Sequence, residues 1–185
     1  MRRQLLPVAL CVILTSPAIA LDLPARKVGL WDIKMTSDTL GMPPQTMQQC
    51  IDAATDKMMN SISGSFQKDM CSKQDVRKTG STIMVDSVCQ VGPMSITSQA
   101  VITGDFNSAY TVKITSKRSG GPSIPGMPAD GSSNMTLDAK WQGACKAGQQ
   151  PGDIIMADGR KVNVRDFQNV PGMGGRQSGG PPQKK

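Results

Sequence analysis

The chain has 185 residues, of which 21 are Lys or Arg and 14 are acidic, giving a net charge of +7. It contains no histidine and no glutamate, so Ser-His-Asp and Cys-His catalysis are excluded within it. Three Phe, two Trp and one Tyr are too few for a platform that stacks bases or sugars, and the mild, dispersed positive charge does not point to nucleic acid.

Met1-Arg2-Arg3-Gln4 is followed by an uncharged apolar stretch over 5–20 that ends Ala18-Ile19-Ala20. Two positive charges, a short apolar region and a small-x-small ending are the pattern of a cleaved secretory signal. The stretch is shorter than the roughly 20 residues that cross a bilayer, and Pro7 and Pro17 interrupt it, so no transmembrane anchor is expected. Cleavage near Ala20 would place the mature protein in the periplasm or the medium and remove Cys11 with the signal.

Along 28–36, Trp31, Ile33 and Met35 alternate with Asp32 and Lys34, which predicts a strand. After the Gly-Met-Pro-Pro turn at 41–44, Met47, Ile51, Ala54 and Met58 recur at helical spacing. A helix over 44–64 is expected, with Pro44 in its first turn, Cys50 beside its apolar stripe and Gly64 as its stop. From 69 to 143 the pattern is β. Ile83, Val85 and Cys89 share one parity, then Ile96, Ala100 and Ile102, then Tyr110, Val112 and Ile114, then Met135, Leu137, Ala139 and Trp141. Each run has one apolar face and one polar face, and mostly short turns join them. The economical arrangement is an α+β fold: an antiparallel β meander, able to curve into a half-barrel, with one helix packed on its apolar face. A small hairpin is expected around Asp158-Gly159. The Gly/Pro-rich stretch over 169–185 should be disordered. The organisation is then a signal peptide at 1–20, one disulfide-bonded domain at 21–168 and a tail.

Four cysteines remain after cleavage: Cys50, Cys71, Cys89 and Cys145. An even number in a small exported chain predicts disulfides, whereas zinc would need closely spaced pairs and usually histidine. Four cysteines allow three pairings. A hairpin turning near Gly80 favours Cys71–Cys89, because residues whose numbers sum to about 160 then face each other. Cys50–Cys145 follows, closing a loop that would contribute about 4 kcal/mol.

Candidate chemistry is sparse. Paired aspartates leave an opening for an aspartate-based hydrolase, for example Asp52 and Asp56 one helical turn apart, and solvated surface charge is the plainer reading. The abundant methionines, among them Met47, Met58 and Met59, could serve a copper or redox protein, but core packing accounts for the two on the helix stripe. No phosphate-binding glycine motif is present. No catalytic residue, metal or cofactor is therefore expected. Trp31, Tyr110 and Trp141 fall on apolar strand faces, as core or as the lining of a pocket for a small apolar ligand or envelope component.

The order of features carries a resemblance. Gly29-Leu30-Trp31-Asp32 is followed by Met47-x-x-Cys50-Ile51, then Cys71, a charged turn, Cys89, Asp105-Phe106, Trp141-x-Gly143-x-Cys145 and Pro151-Gly152-Asp153. Across about residues 26–165 this resembles the bacterial exported proteins of domain-of-unknown-function family 3617. The resemblance implies export across the inner membrane and a compact disulfide-bonded domain. It implies no established activity, so it offers no catalytic residues to carry over. The tail from Pro171 looks like an addition to the family pattern.

Overall fold

The computed structural model describes residues 23–38, 43–123 and 126–169. The expected signal peptide, Gly41 and Met42 of the first turn, and residues 170–185 of the expected tail lie outside them.

The described chain forms β1 (Gly29–Ser37), β2 (Gln45–Ile51), α1 (Ala53–Met70), β3 (Cys71–Thr79), β4 (Thr82–Val91), β5 (Met94–Asp105), β6 (Ala109–Ser119) and β7 (Ser132–Gly143). Two short strands follow, β8 (Asp153–Ile155) and β9 (Lys161–Asn163), and then a 3-10 helix (Val164–Asn169). The strands make one sheet in the order β3-β4-β5-β6-β7-β1-β2-β8-β9, every neighbouring pair antiparallel. The expected meander is thus only part of the sheet. It runs from β3 to β7, and the first strand of the chain then joins beside β7 and carries β2, β8 and β9 with it.

The expected helix over 44–64 is displaced. Residues 45–51 are β2, paired to β1 with Met47 opposite Ile33 and Cys50 opposite Leu30. Met47 and Ile51 are an even number of positions apart, so a strand places them on one face as readily as a helix does. The helix starts one residue after Asp52 because that aspartate caps it. The Asp52 carboxylate accepts the Thr55 backbone N–H at 2.7 Å, and Thr55 Oγ1 accepts the Asp52 N–H at 3.0 Å. Gly64 does not stop the helix, which continues to Met70.

α1 leaves β2, seventh in the sheet, and delivers the chain to β3 at the sheet's edge. Its 18 residues span about 27 Å, close to the roughly 29 Å of six strand spacings. One helix is therefore long enough to make the crossing.

Alternation sets the core. Trp31, Ile33, Ile51 and Ala139 form one buried cluster, and Ile83, Val85 and Ile102 form another. Tyr110 packs against both, with its ring 5.6 Å from Trp31 and stacked 4.7 Å from Phe106.

Two disulfides brace the sheet, Cys50–Cys145 and Cys71–Cys89. Cys50 sits on β2 rather than on a helix, and Cys145 on the loop after β7. The β3–β4 hairpin runs one residue away from the expected register, with Thr79 opposite Thr82, and a bulge between Cys71 and Lys73 brings Cys71 opposite Cys89. The turn itself is Gly80-Ser81, where Gly80 takes the positive φ of 59° that glycine adopts without cost.

Candidate binding groove

The segment before β1 reaches both core clusters. Leu23 packs on Ile83, Val85 and Ile102. The Lys27 N–H donates to the Phe106 carbonyl at 2.9 Å, and the Lys27 carbonyl accepts the Trp31 indole N–H at 2.8 Å. The Lys27 ammonium lies 3.6 Å from the centre of the Trp141 ring, whose own N–H donates to the Val28 carbonyl. At Gly29 the backbone approaches β7 so closely that a Cβ would overlap the Gly143 carbonyl, and φ is +126°.

Between these anchors, Arg26 turns toward α1. Its Nε donates to one Asp56 oxygen at 2.7 Å and its backbone N–H to the other at 2.9 Å. Its remaining nitrogens reach Gln49 Oε1 at 2.8 Å and the Met59 sulfur at 3.4 Å. The side chains are 9% and 2% exposed, so this is a buried ion pair, with Gln49 and Met59 engaging the other nitrogens of the guanidinium. The reading of Asp52 and Asp56 as solvated charge is corrected: one is a helix cap, the other the buried partner of Arg26. The cap was legible as Asp52-x-x-Thr55. Arg26 lies 30 positions from Asp56 on a segment with no periodicity, and no sequence signal joins them.

Arg26 borders a groove of about 330 Å³ on the apolar side of the sheet. Met59, Asn60, Ile62 and Ser63 of α1 form one wall. Ile33 and Gln49 contribute from β1 and β2, and Ile154, Val164 and Phe167 from β8 and the 3-10 helix. A second depression, of about 440 Å³, lies over β3–β6, and every residue lining it except Val88 has a polar or charged side chain, Lys73, Asp86, Gln99, Thr115 and Lys117 among them. Trp31, Tyr110 and Trp141 line neither cavity. Trp31 is fully buried, and Tyr110 and Trp141 pack around its cluster.

Asp153 supports the wall formed by the C-terminal strands. Burial raises its pKa, but bonds from the Gln150 amide, the Asn163 side chain and Lys161 outweigh that and hold the carboxyl below its ordinary value. The Thr55 backbone N–H is the main cause of a similar lowering at Asp52. Cys50, Cys71, Cys89 and Cys145 are all in disulfides. Among the described residues no three His, Cys, Asp or Glu side chains gather as metal ligands. No described helix is long and apolar enough to cross a membrane.

A disulfide-braced antiparallel sheet carrying one helix, with an open groove beside that helix, is the class of protein defined here. The chain matches the family described as "Protein of unknown function (DUF3617)" over residues 26–145, and it belongs to that family. The match ends at Cys145, short of the expected 165, so Ile154, Val164 and Phe167 of the groove lie beyond it. Neither a curated protein nor a solved structure matches the chain.

Proposed function

We propose that this is an exported, non-catalytic binding protein of the bacterial cell envelope, and that its groove takes a small, uncharged amphipathic ligand. The observation that carries this reading is the groove itself. Five of its lining side chains are aliphatic or thioether (Ile33, Met59, Ile62, Ile154 and Val164) and one is aromatic, Phe167. Its volume sits at the low end of the ~300–1,000 Å³ of small-molecule sites. Arg26 brings no free charge, because Asp56 neutralises it and Gln49 and Met59 occupy its other nitrogens. Asn60 and Ser63 remain to hydrogen-bond a polar end. The paired cysteines support an oxidising compartment, as does the signal-like N-terminus.

Native mass spectrometry of the protein recovered from the envelope fraction tests this. An added mass of a few hundred daltons should accompany the chain, and Ile62→Trp, which fills the groove, should abolish it while the fold persists. An unliganded wild type that also takes up no amphiphile on titration would sink the reading.

A further inference from the structure

β3 forms one edge of the sheet, and among the described residues no strand pairs with its outer side. An antiparallel strand aims alternate N–H and C=O groups to its two sides, so half of the β3 backbone groups point away from β4. An open edge of this length is a template for another strand. We propose that β3 pairs antiparallel with the β3 of a second copy of this chain, Val76 facing the partner's Val76, so that the two sheets become one.

Charge complementarity selects both the occupant and the register. A two-fold contact centred on Val76 sets Asp75 against the partner's Arg77 and, by symmetry, Arg77 against the partner's Asp75. Lys73 then faces the partner's Thr79, and the ladder is seven residues long. Centring on Asp75 or Arg77 instead puts like charges face to face. Centring on Gln74 runs the bulge at Cys71 and Lys73 into the contact. Centring on Lys78 shortens the ladder.

The single copy leaves Asp75 poorly served. It lies directly opposite Asp86 of β4, and like charges so placed repel. One guanidinium answers both, since Arg77 bonds Asp86 and lies 3.9 Å from Asp75. The second copy brings Asp75 another. Arg77 and Asp75 are each 53% exposed, open to such a contact. Val76 packs on the Ile83, Val85 and Ile102 cluster, which the partner's Val76 would continue across the junction.

Sedimentation equilibrium of the purified, disulfide-bonded chain should show a concentration-dependent dimer. Asp75→Arg turns two attractive pairs into repulsive ones and should weaken association about tenfold or more. Asp75→Arg combined with Arg77→Asp should restore it, and this pair of changes still leaves a guanidinium facing Asp86 across the hairpin. Amide exchange along 73–79 should slow as the dimer forms, a readout that needs no variant. A chain monomeric at its highest attainable concentration overturns the proposal. So does a dimer that Asp75→Arg leaves intact, or one whose β3 amides stay unprotected.

Discussion

Arg26 and Asp56 show what a single side chain does here. Removing the carboxylate by Asp56→Ala leaves a buried guanidinium without its counter-charge, which should cost about 3–5 kcal/mol in urea unfolding. A loss below about 1 kcal/mol, the range of exposed pairs, would mean that water reaches the pair. Asp153 contributes to the acid limb. Its pKa is lowered in the folded protein, so its contribution is complete above the unfolded value and is lost as pH falls through the folded one. Wild-type stability should therefore decline below about pH 4, with Asp52 adding to the decline. Asp153→Asn should decline less over that range; parallel curves would remove Asp153 from the account. In the sequence Asp52 is set apart by Thr55 three positions on, whereas Asp56 and Asp153 look alike. What makes one the buried partner of Arg26 and the other the acceptor for Asn163 and Lys161 is which distant donors arrive beside each, and that depends on the tertiary fold.

At the scale of elements, strict alternation was legible and phase was not. Tyr110, Val112 and Ile114 announce β6, and Met135, Leu137 and Ala139 announce β7, because a one-faced sheet demands that pattern. Met47, Ile51 and Met58 satisfied a helical spacing by joining the end of a strand to the start of a helix. The capping aspartate between them was the better guide. Gly64 is the residue that misled most, since it lies inside α1. An added Cβ there meets nothing within 4 Å. Gly64→Ala should thus raise stability by about 0.5–1 kcal/mol, seen as a higher urea midpoint. An unchanged or lower midpoint would mean that the helix gains from glycine at that point.

The whole molecule depends on pairings between distant segments. Cysteine number and hairpin spacing made the disulfides approachable from sequence. The insertion of β1 between β7 and β2 was not approachable, because β1 and β7 alternate just as the meander strands do and β2 matches a helical spacing instead. The groove escaped for the same reason, its walls coming from α1, the first two strands and the last short elements. The two disulfides close loops of very different size, with sequence separations of 95 and 18. Replacing Cys50 and Cys145 by alanine should cost about 4–5 kcal/mol, and replacing Cys71 and Cys89 about 3. The reverse order in denaturant unfolding would show that loop entropy does not dominate. The position of β1 also governs time. Trp31 meets Trp141 across 110 residues of chain, so the centre of the sheet stays open until β7 has been made. Contacts so far apart in sequence close slowly, in milliseconds to seconds for β-rich domains. A chain emerging from its N-terminus would leave β1 without its β7 neighbour until Gly143 had been made, so the first long strand waits for the last.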